Sequence, residues 1–337
     1  MQSGVRASIV VPVYNQVFYT RVCLASLEHH EESMQVIVVD NGSTDETPEV
    51  LAAWAEQGRS RLVLRQDGNL GFAGACNAGA GAAIGEFVVF LNNDTFVLPG
   101  WLDNLLRPFA DPSITITGSR LLYPTGHVQH AGVAFDDIGP HHIFVGIPGD
   151  SPVVLEQRDY QVVTGAALAI RAAEFRRQSG FDTSYRNSLE DVDLCLRVRR
   201  DGGRIVYVPT SVAYHFESMT EGRVGPLETS NYELFMERWS GKFECDLPRL
   251  EEAAVQRGID LDANRVPSRR EVIDREAQMA RTEAELARTE SELARTESAL
   301  ARAEEELNEL RRIRRTRSVR TALWMRNAFR RVVPART

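Results

Sequence analysis

"VVFLNNDTFV", residues 88–97, ends an apolar run on two amides and a carboxylate. Phe87 precedes it, so the apolar residues 87–91 lead straight into Asn92, Asn93 and Asp94 before the chain turns apolar again at Phe96. A short continuous apolar run bounded by turn residues is the pattern of a strand buried on both faces. Its polar end is either a turn held by Asn and Asp side chains, or a place where Asp94 holds something.

Working outward, the pattern recurs in "ASIVVPVYN" (7–15), "MQVIVVDNGSTD" (34–45) and "RLVLRQD" (61–67). Helical patterns separate these runs. One spans about Thr20 to His29, with Val22, Leu24 and Leu27 apolar, and one spans Thr47 to Gln57 with Thr44 or Asp45 as its cap. The third is the Ala/Gly-rich "GFAGACNAGAGAAIG" (71–85). Apolar strands alternating with helices predict an α/β, Rossmann-like domain, with a mostly parallel central sheet and helices on both faces. Ligands of such sheets bind beyond the carboxyl ends of the strands. Those ends carry Tyr14 and Asn15, Asp40 and Asn41, Asp67, and Asn92 to Asp94, which are expected to converge on one crevice.

Further along, "YQVVTGAALAIRAAEF" (160–175) reads as strand, Thr-Gly break, strand and helix start. "SLEDVDLCLRVRRDG" (188–202) reads as a helix with Leu189, Val192, Leu196 and Val198 apolar, stopping at Gly202-Gly203. "RIVYVPTSVAYHFES" (204–218) supplies one or two closing strands, and the globular part is expected to span 1–245. A connector (246–270) leads to "ARTEAEL", "ARTESEL", "ARTESAL" and "ARAEEEL", a repeat of period seven. Met279, Leu286, Leu293, Leu300 and Leu307 share one heptad position, which predicts a C-terminal helical coiled coil over 271–312 and self-association through it. A single solvated helix laced by Glu–Arg pairs is the alternative. From Arg311 on there are many Arg and no Asp or Glu; 313–337 reads as a basic amphipathic tail suited to an anionic membrane surface, or as a solvated basic end.

The chain has 337 residues, 43% hydrophobic and 26% charged, as in soluble globular proteins. A net charge of −8 argues against nucleic acid as a partner. Cys23, Cys76, Cys195 and Cys245 form no C-x-x-C pair, which argues against a zinc ribbon and points to free thiols in a reducing compartment. No basic start followed by a long apolar run and no stretch of about 18 apolar residues is present, so a cytoplasmic chain is expected, at most peripheral at the membrane.

Taken in order, "SIVVPVYNQ", "VIVVDNGSTDET", "NLGFAGACNAGA", "FLNNDT" and "LEDVDLCLR" resemble the motif series of inverting glycosyltransferases of family 2, with the GT-A fold. The likeness is greatest to the rhamnosyltransferase-like branch of bacterial surface-polysaccharide enzymes, such as those of O-antigen, and covers roughly residues 6 to 220. It implies transfer of rhamnose or another hexose from a dTDP- or UDP-sugar to a glycan or lipid-linked acceptor. Pro12, Tyr14 and Asp40 would bind the base and ribose, with Asn15, Asn41 and Asp67 beside them. As a strand end with a capping Asp, the same stretch needs no ligand. Asn69, Gly71 and Asn77 would approach the donor, or the small residues around them would serve helix packing.

The family's Asp-x-Asp motif stands here as Asn92-Asn93-Asp94, which leaves Asp94 as its charged ligand for a divalent cation, Mg²⁺ or Mn²⁺, on the diphosphate. His215 would be a second ligand, although a lone His is more often structural. Thr164 and Gly165 resemble the lining of the sugar pocket. Asp191 would be the general base and Glu190 an acceptor contact, with Asp193 on another side of the helix. Acidic residues also suit any helix N-terminus. Arg120 and His130 lie in the variable middle with no role assigned. A nucleotidyltransferase is disfavoured because no Gly-rich phosphate loop follows the first strand. An inactive domain serving as a coiled-coil assembly module is the non-enzymatic alternative.

Overall fold

The computed structural model describes residues 4–28, 34–216 and 226–261, with scattered helical positions from 288 to 325. Four strands follow the apolar runs: β1 (Ala7–Val13), β2 (Met34–Asp40), β3 (Arg61–Arg65) and β4 (Phe87–Leu91). They pair in parallel in the order β4-β1-β2-β3. Side chains alternate across a strand, and this alternation sorts the core. Val10, Ile37, Val39, Val88 and Phe90 pack under α3 (Gly71–Gly81). Ile9, Val11, Val36, Val38 and Val89 pack under α1 (Val17–Leu27) and α2 (Thr47–Ala55). The small residues of α3 are explained by its closeness to the sheet: a Cβ on Gly79 would stand 2.4 Å from Val10 Cγ1. Asp45 accepts from Thr47 N at 3.0 Å and from Val17 N at 3.2 Å, so one carboxylate holds the starts of both α1 and α2.

The rest of the sheet corrects the expectation of a mostly parallel one. After β5 (Thr95–Val97), α4 (Trp101–Leu106), β6 (Ile114–Leu122), β7 (Val128–His130), β8 (Val133–Phe135), β9 (Pro140–His142) and β10 (Arg158–Asp159), the chain returns as β11 (Ala167–Arg171). β11 runs antiparallel to both β4 and β6. The last strand, β12 (Arg204–His215), is parallel to β6 and antiparallel to β5 and β10. The sheet is therefore mixed. A buried apolar strand looks the same in sequence whichever way it runs, so direction was not readable from composition. The strand expected at 160–163 is also absent: Val162 makes a single bridge to Val133, and Tyr160, Val162 and Val163 are core side chains.

α5 (Ala172–Arg177) and α6 (Glu190–Arg200) follow β11; Val192, Leu196 and Val198 of α6 are buried as expected, together with Leu194 and Cys195. α7 (Pro226–Trp239) and α8 (Leu247–Val255) complete this unit. It runs on past the boundary expected near Cys245: Asp246 accepts from Phe135 N at 2.9 Å, and Ala254 is buried. Two compact units divide the chain, Met1–Val266 and Pro267–Thr337. The coiled coil expected over 271–312 and the basic tail of 313–337 fall largely outside the described residues, although positions such as Arg288, Arg295 and 321–325 are helical. Among the described residues no helix is long and apolar enough to cross a membrane. The four cysteines are free, and Cys23, Cys76 and Cys195 are buried.

Candidate active site

The polar end of β4 is both a turn and a holder. Thr95 Oγ1 donates to Asn92 O at 2.7 Å, and Asn93 Nδ2 donates to Thr20 Oγ1 at 3.0 Å, tying the turn to α1. Asn93 therefore reaches toward α1. Asp94 turns the other way. The β5–β12 ladder sets Thr95 opposite His215, and Asp94 Oδ1 lies 3.0 Å from His215 Nε2. The far ring nitrogen, Nδ1, lies 2.6 Å from Gln129 Oε1, which can only accept. Nδ1 thus carries a proton, and a neutral ring turns the lone pair of Nε2 toward Asp94, with Asn92 Nδ2 at 3.3 Å. A protonated ring would instead close an ion pair.

Two electron-pair donors facing one point fit a cation. Ligands at about 2.1 Å on adjacent corners of an octahedron lie about 3 Å apart, the separation seen here. Gln129 supplies the outer partner that metal-binding imidazoles take. Among the described residues no cluster of three or more His, Cys, Asp or Glu gathers to hold a metal.

Side-chain hydrogen bonds stitch together the ends of the parallel strands. Asn15, left-handed at φ 57°, accepts from Thr44 N at 2.8 Å through its side chain and donates its own N to Ser43 Oγ at 2.8 Å. Asp40 is buried; one oxygen accepts from Ser43 N at 2.8 Å and the other from Arg65 at 2.5 Å. Each carboxylate oxygen keeps a second lone pair, but Asp40 is already engaged by the protein. Asn41 donates to Asn69 Oδ1 at 2.8 Å and accepts from Leu70 N at 2.9 Å, and Asn69 Oδ1 also accepts from Gly71 N at 2.8 Å. Gly71 has φ +73°, a conformation that L side chains rarely adopt. Pro12 is half-buried; Tyr14 and Asp67 are exposed beside this network. The Asn77 amide donates to Phe181 O at 2.8 Å and accepts from Phe181 N at 2.9 Å, which makes it a backbone clamp.

The antiparallel ladder between β4 and β11 joins the Asp94 corner to the acidic helix. Asn92 N donates to Ala166 O at 3.0 Å, and one residue earlier Gly165 N donates to Asp191 Oδ2 at 2.6 Å. A Cβ at position 165 would stand 3.1 Å from Asp191 Cβ, a tight contact that would require Asp191 to give by a few tenths of an ångström. Asp191 is half-buried and Glu190 buried, both in the first turn of α6. Asp193 is fully engaged elsewhere, accepting from Arg197 at 2.7 Å and from Trp239 Nε1 at 2.9 Å. Burial, with Glu190 and Asp191 nearby, pushes the Cys76 thiol far up and leaves it inert.

Thr164 shapes the turn through a 3.3 Å bond from Ala166 N, and its own N donates to His130 Nε2 at 3.4 Å. His130 is completely buried and its Nδ1 lies 3.0 Å from that of His142. Burial first, then the neighbouring imidazoles of His142 and His215, hold its pKa well below the ordinary 6.5. Arg120 donates to Gly149 O at 2.6 Å.

Sequence reasoning missed Arg65 and Gln129, which bond Asp40 and His215. Gln129 sits in "VQHAG", one residue from the His130 that drew notice; Arg65, at the end of an ordinary strand, carried no signal.

Residues 8–131 match the Glycosyl transferase family 2 profile, and the chain carries a domain of that family. It is 33% identical over 225 residues to the O-antigen biosynthesis protein RfbC of Myxococcus xanthus, an overlap of 63% of this chain and 17% of that protein. It is 28% identical over 269 residues to an N-acetylglucosaminyl-diphospho-decaprenol L-rhamnosyltransferase of Mycobacterium tuberculosis, covering 71% of this chain and 87% of that one. Several relatives are longer proteins, of which the chain spans less than half. In fold it resembles GalNAc-T7, solved with UDP, GalNAc and Mn²⁺, with a TM-score of 0.60 at 17% identity over 71% of this chain and 49% of that one. The fold is thus an α/β GT-A-like one with a mixed central sheet.

Proposed function

We propose that this chain is a metal-dependent inverting glycosyltransferase that moves a hexose or deoxyhexose from a nucleotide diphosphate to a hydroxyl of a surface glycan or lipid-linked acceptor. One observation carries the reading: Asp94 and His215 meet 3.0 Å apart, on a strand end joined by the β4–β11 ladder to the peptide that holds Asp191. The family-2 domain, the likeness to a rhamnosyltransferase, and solved neighbours binding UDP with Mn²⁺ or GDP-Man with Mn²⁺ support it.

In this reading the ends of β1 to β3 seat the base and ribose. Asp94 and His215 would hold a divalent cation, which would supply charge neutralisation for the departing diphosphate. Gln129 keeps Nε2 of His215 free to ligate. Asp191 accepts the proton of the acceptor hydroxyl as its oxygen bonds to the anomeric carbon from the face opposite the diphosphate, whose bond to that carbon breaks. The carboxylate is oriented for this by Gly165 N on Oδ2 and Val192 N on Oδ1, and it retains lone pairs beyond those used by these two backbone donors. Glu190 would contact the acceptor. Residues 271–312 would self-associate, and 313–337 would keep the domain near a membrane-borne acceptor.

A calorimetric screen of nucleotide diphosphates and nucleotide sugars, with and without Mn²⁺, tests this. Metal-dependent binding and turnover of one donor are expected. Activity in Asp191→Asn equal to wild type would instead favour the assembly-module reading, for which Asn92 and Asn93 in place of carboxylates are the argument.

A further inference from the structure

The segment leading into α6 lies in a conformation that side-chain-bearing residues seldom adopt. Asn187 has φ 60° and Leu189 φ 71°. Such residues persist only where their surroundings over-determine them. One side chain bonds both neighbours of Asn187, namely Arg186 and Ser188. Asn231, on α7, is 3% exposed. Its Oδ1 accepts from Arg186 N at 3.1 Å; its Nδ2 donates to Arg186 O at 2.8 Å and Ser188 Oγ at 2.8 Å, with Ser188 O at 3.3 Å. On the other side, Asn187 Oδ1 accepts from Phe72 N, in the first turn of α3, at 3.0 Å. α6 begins directly after Leu189, and Asp191 reaches Gly165 N from its first turn.

α7 grips this region elsewhere too, through Trp239 on Asp193 and Arg238 on Asp182. Those contacts are to side chains. Asn231 alone among these reads the backbone of the turn on both its N–H and its C=O, which fixes where α6 starts. An apolar residue of similar size would fill the volume equally well and fix nothing.

We propose that Asn231 is a positioning residue: it holds the turn of 186–189, with Asn187 and Leu189 left-handed, so that Asp191 stands against Gly165 N at the reacting face. This rests on the reading of Asp191 as the base.

The test uses the full chain with Mn²⁺, following nucleoside diphosphate release from UDP-GlcNAc, GDP-mannose and dTDP-rhamnose, and binding of UDP and dTDP. Asn231→Ala is expected to lower kcat about tenfold or more, because small misplacement of a reacting group is costly. Donor KM and nucleotide affinity should stay within about twofold of wild type. Ser188→Ala should show a smaller loss of the same kind. Trp239→Phe, which loosens α7 without touching the turn, should lower the unfolding temperature and keep kcat. Wild-type kcat in Asn231→Ala overturns the proposal, as does a kcat loss that merely follows stability in both α7 variants. Should Asn231→Ala not fold, Ser188→Ala decides: a kcat loss at constant KM supports the proposal, and wild-type kcat overturns it. Asp191→Asn separates the two levels. If it is as active as wild type, the base assignment itself falls; if it is inactive while Asn231→Ala is unaltered, only the positioning role falls.

Discussion

The strand ends of the parallel half, β1 to β3, are bound to one another by Asn15, Asp40, Asn41 and Asn69, whereas those of the mixed half, β11 and β12, carry Asp191's backbone anchor and His215. Side chains in the first group spend most of their hydrogen-bonding capacity on backbone groups of neighbouring turns, and so build a shape. The groups in the second meet other chemistry-bearing side chains across the crevice. Asp94, at the end of β4 where the halves join, belongs to both. In the proposed reaction this arrangement would divide the labour, with recognition of the donor on the parallel side and chemistry on the mixed side.

The largest effect is expected at Asp191. Asp191→Asn should lower turnover by about 10²–10⁴-fold, the usual worth of a positioned base, with nucleotide binding unchanged in calorimetry. Asp94→Ala should remove metal-dependent activity, whereas Asn92→Ala should cost less in the same assay. If both are equally harmless, the end of β4 is only a turn. On the parallel side, Asn41→Ala leaves Leu70 N without its acceptor; a stability loss of about 1–3 kcal/mol in denaturant melts is expected, with donor KM raised and kcat at saturation little changed. A fall in kcat alone would erase the division of labour.

The smallest effect concerns pH. His130 is neutral in the fold, with its pKa held below the ordinary 6.5, so the unfolded chain binds the proton first as pH falls. Its contribution is therefore unpenalised above about 6.5 and is lost progressively as pH drops below that value toward its folded pKa. Unfolding temperatures measured across this range should fall on the acid side, and His130→Gln should flatten that fall.

The parallel half was largely legible in the sequence because each strand is a local apolar run closed by turn residues, and each helix has its own period. "VVFLNND" announced both its strand and its polar end. The mixed half was not, since β11 reaches β4 only after a long excursion, and a short apolar strand does not encode its direction. Site residues divide in the same way. Asp94, Asp191 and His215 stood out as acids or imidazole in a motif series; Asn77 and Asn93 stood out equally, but Asn77 bonds the backbone of Phe181 and Asn93 the hydroxyl of Thr20. Gln129 and Asn231 are amides in ordinary surroundings, and only tertiary pairing gives them meaning.

The most direct measurement is calorimetric binding of UDP and dTDP, with and without Mn²⁺, to wild type, Asp94→Ala and Asp191→Asn. One nucleotide should bind wild type and Asp191→Asn in a Mn²⁺-dependent manner, and Asp94→Ala should lose that dependence. Binding that ignores Mn²⁺ in all three proteins, or that survives unchanged in Asp94→Ala, would contradict a cation site at Asp94 and His215.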